Sequence, residues 1–505
     1  MRSIYIVLLA YAMLMLSCKK DPVEREPDPY PDVPRTGSRT ELTLDSIFLY
    51  TYETWLWNDA LPDYSTFNPR RYTASGPEPT RYRRALFDLT QYKVNPATGR
   101  PYEYPISTIT PKYSYLEEDN AQTGALATIP LDDTGEDFGF DAAAISLSDI
   151  RIYYVNPGSA AGLAGLNRGD RIVQLNGTTL SAGNSTRNLE LAQQQQHMEL
   201  RVINTMNETR TVQLTKTAYD GNPIYKSLIL DIEGRKIGYL ACSRFLNQVR
   251  MQTVLDPIFA AFAQAGIREL ILDLRYNVGG YVSGAQHLLN LIAPPSLNGK
   301  VMFAEHFNTK MQQGKATLLK KQPYLDINGN QVFINNRPAT YFDIDYSIKA
   351  NTEYFEKSGS LNNLQTVAVI TTGNTASASE LVINTLKPYL NVRLIGTRTY
   401  GKPVGFFGIS VDKYTLYLSS FHIRNANNEA DYFDGFSPDV VAGDDILHDF
   451  GNIQEESLAK ALADMTGQGT AASRMQRTEA AAEANAVDVR KLPMMVEDRL
   501  APARH

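Results

Sequence analysis

Between Leu42 and Pro62, apolar and aromatic residues (Leu44, Ile47, Phe48, Tyr52, Leu56, Trp57) recur at helical spacing. That spacing predicts an amphipathic helix whose aromatic face packs into a core. Residues 63–130 are turn-rich and Tyr-rich and show no clear period. From about Phe138 to Thr217 the apolar positions alternate instead. A short helix is expected after Pro157, a tight turn at Gly169-Asp170, and a strand from Arg171 to Leu175 that ends in the Asn176-Gly177 turn. Beyond Pro223 the pattern changes again. A helical stretch from Met251 to Ala265 leads to the apolar strand Glu269 to Leu274, a Gly turn ending at Gly279-Gly280, and an apolar helix through His287 to Ile292. A second unit follows, with strand Thr366 to Thr371, loop Thr372 to Ala376 and helix Ser379 to Leu386; a third strand, Val392 to Ile395, precedes Gly401-Lys402. Strand, turn and helix in this order is an α/β pattern that presents backbone N–H groups at the strand's end. One more helix, Glu455 to Ala463, gives way to an Ala-rich, charged tail reaching His505, which reads as mobile and without chemistry.

The two ends of the chain differ in kind from its middle. Arg2, the apolar run Ile4 to Leu16 and Leu16-Ser17-Cys18 resemble a bacterial lipoprotein signal, with Cys18 as the lipidated residue, although Met15 stands where Leu is usual. The apolar run is shorter than the roughly 20 residues a membrane-spanning helix needs. Pro27, Pro29, Pro31 and Pro34 then make an extended tether. Cys242, the second of only two cysteines, lies in the apolar segment Ile237 to Cys242, so no disulfide framework is expected and its thiol reads as packed and inert.

Length and charge narrow the classes further. A chain of 505 residues exceeds one hydrophobic core. Hydrophobic residues at 43% and charged residues at 21% are globular values, which exclude a fibrous or largely disordered chain. A formal net charge of −6, with no basic face, argues against a nucleic-acid partner and leaves protein or peptide substrates. The six histidines form no HExxH pair, no cysteine and histidine residues cluster at zinc spacing, and no cofactor motif occurs, so neither metal nor cofactor is expected. His287 reads as a packed residue, and no GxSxG elbow surrounds Ser377.

Phe138-Gly139-Phe140, then Tyr154 to Ala161, then Gly165 to Gly177 together resemble a PDZ domain. The resemblance implies that Phe138, Gly139 and Phe140 form the loop whose N–H groups cradle a peptide's C-terminal carboxylate, the peptide adding as a strand to a sheet edge. Asp273-Leu274-Arg275-Tyr276-Asn277-Val278-Gly279-Gly280, Thr375-Ala376-Ser377-Ala378-Ser379-Glu380 and Thr399-Tyr400-Gly401-Lys402 occur in that order. The set resembles the C-terminal processing peptidases, or tail-specific proteases. It implies a crotonase-like α/β catalytic domain with a Ser/Lys pair, commonly with an inserted PDZ domain. Ser377 and Ser379 both compete for the nucleophile's role; the family's interval of 25 to the lysine selects Ser377, with Lys402 as base. By the same resemblance Gly280 and Ala378 supply the oxyanion N–H donors, and Gly280 allows the backbone turn and close approach this requires.

A lysine can act as base only when neutral, so burial must lower its pKa from about 10.4 toward roughly 7 to 8. Tyr400, Pro403, Val404, Phe406 and Phe407 provide the apolar setting. The family often places a Gln four residues after the lysine to orient it, and Phe406 stands there instead. Ser379, Thr399 or a backbone carbonyl are then the candidates to hold the amine, or else activity is weakened. Glu380, at the start of a helix, reads as a structural carboxylate favoured by the macrodipole.

The expectation is a multidomain α/β protein with signal segment 1–17, Pro-rich tether 18–40, small helical N-terminal domain 41–130, β-rich PDZ-like domain 131–218, catalytic domain 223–450, and C-terminal helix and tail 451–505. The implied function is a lipid-anchored cell-envelope serine endopeptidase acting on proteins or peptides with free C-termini. The alternative is a weak or inactive PDZ-containing peptide-binding or scaffold lipoprotein.

Overall fold

The computed structural model describes residues 30, 32–105, 109–118, 134–326, 330–467 and 494–496. Cys18 and the export segment lie outside the described residues. Helix α1 (Arg39–Thr54) opens on a capping box, with Ser38 N donating to Glu41 Oε2 at 2.7 Å. Leu44, Ile47 and Phe48 are buried on its inner face. The helix stops short of the expected Pro62. Trp55 turns extended, its indole donates to buried Glu103 at 2.9 Å, and Leu56 N donates to Ser419 O, so tertiary hydrogen bonds override the periodicity. Helix α2 (Glu78–Thr90) packs beside α1, and strand β1 (Tyr115–Glu118) pairs antiparallel with Tyr414–Tyr417. Leu44, Phe48, Tyr82 and Leu86 share one buried cluster with Leu272, Val369 and Leu381 of the α/β unit.

The PDZ-like unit has its own core, in which Phe138, Phe140, Ile152, Leu175, Leu189 and Leu200 are buried together. Its strands are β2 (Phe140–Ser146), β3 (Asp149–Val155), β4 (Arg171–Leu175), β5 (His197–Ile203) and β6 (Thr209–Thr215), in sheet order β6-β5-β4-β3-β2. Short helix α3 (Ala160–Leu163) follows Pro157, capped by Ser159, and Asn176 and Gly177 both take positive φ in the β4 hairpin, the backbone such a turn requires. Helix α4 (Ser185–Gln193) lies against β2.

The α/β unit is built on a sheet of β7 (Ile224–Ile232), β8 (Arg235–Cys242), β9 (Glu269–Asp273), β13 (Thr366–Thr371), β14 (Asn391–Gly396) and β19 (Val440–Val441), in that spatial order. The pair β7/β8 is antiparallel and every later pair parallel. Cys242 ends β8 and is buried, its thiol donating to Arg244 O at 3.1 Å. Helices α5 (Gln248–Ala265) and α6 (Val282–Ile292) pack together on one face, with the short strand β10 (Gly279–Tyr281) leading into α6. A second, antiparallel sheet orders β12 (Thr352–Tyr354), β11 (Val301–Phe307), β18 (Phe421–Asn425) and β15 (Val404–Gly405). Helix α7 (Ala378–Leu386) follows β13, strands β16 (Gly408–Val411) and β17 (Tyr414–Tyr417) form a hairpin, and α8 (Glu456–Thr466) covers the parallel sheet near β13 and β14. The tail, expected to be without structure, carries strand β20 (Met494–Val496), parallel to β10.

The two units meet through buried charge. Arg168, on the PDZ-like unit's tight turn, donates to Asp444 Oδ1 at 2.6 Å, Tyr276 Oη at 2.6 Å and His448 O at 3.0 Å. Arg275 joins the same Asp444 Oδ1 at 2.8 Å and also binds Asp273 and Glu455. Burial would raise the Asp444 carboxyl, but the two guanidinium groups pull it down to about 2.

Candidate active site

Ser377 caps the start of α7 with φ 62° and ψ −113°, a backbone that favours glycine and stores strain in a residue with a Cβ. Hydrogen bonds on every side hold it there. Ser377 N donates to Glu380 Oε2 at 2.9 Å, Leu381 N donates to Ser377 O at 2.8 Å, and Ala376 N donates to Asn277 O at 3.1 Å. Ser377 Oγ is buried and has no hydrogen-bond partner among the described residues. The competing hydroxyl, Ser379 Oγ, donates to Asn277 O at 2.9 Å and ties the serine turn to the Gly279-Gly280 turn.

Lys402 is 1% exposed, on the loop between β14 and β15. Burial lowers its amine to about 7, against opposing pulls from Glu103 and Glu380. Its Nζ lies 4.1 Å from the centre of the Phe406 ring. That ring, at the position where a Gln was expected, is held in turn by Tyr115 and Tyr417. Each of the two hydroxyls named as candidates to orient the amine has a hydrogen bond of its own. Ser379 serves Asn277, and Thr399 Oγ1 donates to Glu380 Oε1 at 2.6 Å and accepts from Phe436 N at 2.7 Å.

Glu380 does more than favour a helix dipole. Its Oε2 accepts Ser377 N and, at 2.8 Å, Lys402 N; its Oε1 accepts Thr399 Oγ1 and, at 2.7 Å, Gly401 N. One buried carboxylate thus clamps the serine turn to the lysine loop. Burial raises its pKa and these four donors lower it, with burial the larger effect.

Gly280 has φ 141°, and a Cβ there would overlap Phe245 O. Phe245 N donates to Gly279 O and Tyr281 N donates to Phe245 O, both at 2.9 Å. Because successive peptide groups in an extended strand face opposite ways, Gly280 N–H points to the other edge. Ala378 is the first residue of α7, where a helix leaves N–H groups without an intrahelical acceptor. Asn277 links the two turns, its carbonyl taking Ala376 N and Ser379 Oγ and its side chain taking Gly279 N at 2.9 Å.

Three contributors carried no signal in the sequence. Glu103, fully buried, accepts Trp55 Nε1, Ser114 N, Ser114 Oγ and Ser419 Oγ and acts electrostatically on Lys402. Tyr113 Oη donates to Gly401 O at 2.6 Å, directly beside the base. Both come from the turn-rich stretch without a period. The third is β20, which lies alongside β10. His287 is buried between α5 and α6, its Nε2 lying 2.8 Å from Asp256 Oδ1.

In the PDZ-like unit, Phe138 and Phe140 are core residues and Gly139 turns with φ 77° beside Ser159. Gly139 N–H is already engaged by Asp137 Oδ1 at 2.7 Å. Asn156 N donates to Gly139 O, so Phe140, one residue on, turns its own N–H to the free edge of β2. That edge, facing α4, is where a peptide strand can add.

Comparison with known proteins agrees with this architecture. Residues 236–442 match the model of peptidase family S41, and residues 127–215 match the PDZ domain. The chain is 25% identical to the chloroplastic C-terminal processing peptidase of Tetradesmus obliquus over half of this chain and 48% of that one. It is 24% identical to the carboxy-terminal processing protease CtpB of Bacillus subtilis over 59% of this chain and 52% of that one. The chain therefore spans about half the length of the curated relatives it matches. A crystal structure assigned to the S41 proteases, from Bacteroides fragilis, shares the fold with a TM-score of 0.55 and 24% identity, covering 88% of this chain and all of that one. One chain thus joins a region that matches peptidase family S41 to a region that matches the PDZ domain, and the first of them holds a buried serine and a buried lysine.

Proposed function

We propose that the chain is a serine endopeptidase in which Ser377 attacks a peptide carbonyl and Lys402 acts as general base. The observation that carries this reading is the buried Lys402 amine, lowered to about 7, on a loop clamped by Glu380 to the Ser377 turn. A lysine neutral near pH 7 can take the hydroxyl proton and return it to the departing amine. Gly280 N–H and Ala378 N–H stabilise the tetrahedral oxyanion, and the acyl-enzyme is then hydrolysed. Substrates are proteins or peptides whose free C-termini add along β2 near Phe138, Gly139 and Phe140; the outward N–H of Phe140 supports this. The lipoprotein-like segment ending at Cys18 supports a cell-envelope location with a lipid anchor.

One observation favours the second reading, a binding or scaffold lipoprotein: among the described residues Ser377 Oγ has no hydrogen-bond partner, so the Lys402 amine is not engaged with it in this arrangement. Catalytic hydrogen bonds often tighten only when substrate is bound. A serine-reactive fluorophosphonate separates the two readings. Labelling of the wild type, lost in Ser377→Ala and reduced in Lys402→Ala, is the expected result; an unlabelled wild type overturns the peptidase reading.

A further inference from the structure

We propose that the chain's own C-terminal tail is an intramolecular substrate of the site, cut between Met494 and Met495. Three observations lead there, and the inference rests on the Ser377/Lys402 reading. First, β20 pairs in parallel with β10 in the register Gly279 to Met494, Gly280 to Met495 and Tyr281 to Val496. Phe245 occupies the opposite edge of β10, so the tail lies on the edge to which Gly280 directs its N–H. In a parallel ladder of this register, that N–H is offered to the carbonyl of Met494, the residue before Gly280's partner. The oxyanion donor and a peptide carbonyl are thereby brought together.

Second, β20 also approaches β15, with Cα atoms of the two strands within 8 Å. Strand β15 begins two residues after Lys402. The tail backbone therefore runs between the Gly280 turn and the lysine loop, the position a polypeptide substrate must take. Third, Ser377 is fully buried and Lys402 nearly so. A nucleophile intended for external proteins is closed off here, as expected when the cleft already holds a strand. The tail can reach: Thr466 and Met494 are 28 residues apart, roughly 90 Å of extended chain.

In the reaction, Ser377 Oγ bonds to the Met494 carbonyl carbon while Lys402 takes the hydroxyl proton. The bond to the Met495 nitrogen breaks and Lys402 gives that nitrogen the proton. Water then adds to the ester, Ser377 regains its proton through Lys402, and Met494 is left as a free carboxylate. One water is consumed, and the peptide Met495–His505 leaves.

The full chain, incubated at pH 8 and followed by intact-mass spectrometry, tests this. The expected result is first-order loss of Met495–His505 in the wild type, with a rate constant unchanged on tenfold dilution and at least 10²-fold lower in Ser377→Ala and in Lys402→Ala. Met495→Pro, which removes the amide N–H of the leaving segment, keeps its full mass. Fluorophosphonate labelling of the same samples separates the two levels of failure. A wild type that labels yet keeps its tail, cuts it elsewhere, or cuts it at a rate that falls with dilution overturns the tail proposal alone. A wild type that neither labels nor loses its tail overturns the peptidase reading with it.

Discussion

The backbone amides of Ser377 and Lys402, 25 residues apart in the chain, donate to the same oxygen, Glu380 Oε2, at 2.9 and 2.8 Å. Their nitrogens therefore lie within two hydrogen-bond lengths of one another. The interval between serine and lysine is thus set by a third residue that both must reach.

Glu380→Ala leaves four buried donors without their acceptor. Each such orphan costs about 1 to 3 kcal/mol. Loss of kcat by on the order of 10³-fold, together with a Tm many degrees lower, is the expected outcome. Glu380→Gln keeps one carbonyl oxygen but turns an NH₂ toward the remaining donors, so it falls between wild type and Ala in both kcat and Tm.

Activity on a peptide substrate should rise with pH through about 7, because Lys402 is inactive while protonated and burial holds its amine near that value. Stability follows the same group. Between about 7 and its usual 10.5, the unfolded chain holds a proton that the folded chain lacks, so wild-type stability rises with pH across that window. Lys402→Met removes a burial penalty of order 4 kcal/mol at pH 7.5. Thermal unfolding should show the inactive variant with the higher Tm there, the gap closing as pH approaches 10.5.

Phe406→Leu tests the aromatic face under Lys402. A ring at 4.1 Å favours the ammonium over the neutral amine. Without it, the rise of kcat/KM with pH should move about 0.5 to 1 unit to lower pH, from a loss on the order of 1 kcal/mol. An unmoved profile would mean that the ring sets position only.

The strained backbone of Ser377 gives a comparison of two inactive variants. Ser377→Gly suits φ 62° and ψ −113°, whereas Ser377→Ala keeps the strain. The Gly variant should be the more stable in urea by about 1 kcal/mol, the low end of what such a backbone stores.

How legible the site is in the sequence depends on how local each feature is. The Gly279-Gly280 turn, Ser377 and Lys402 each sit beyond the end of a strand that reads directly from its apolar run, so motifs and elements can be placed together. Glu103 and Tyr113 cannot, since they reach the lysine loop from nearly 300 residues away through Ser419 and Gly401. The end of α1 departs from its pattern because Trp55 and Leu56 keep the helical period while their polar groups bond to Glu103 and Ser419. Strand β20 gives no sign, because three residues form no period and its partner is a glycine turn.

The pairing of Arg168 with Asp444 has a further consequence. The ion pair is buried, with side chains 2% and 5% exposed, and Asp444 is shared with Arg275 beside the glycine turn. Pulling the PDZ-like unit away would strand charges that water could not reach at once, and breaking one such buried pair costs about 3 to 5 kcal/mol. Two sequence modules are therefore one cooperative body. Calorimetry should record a single melting transition for both, and Arg168→Ala should split it into two.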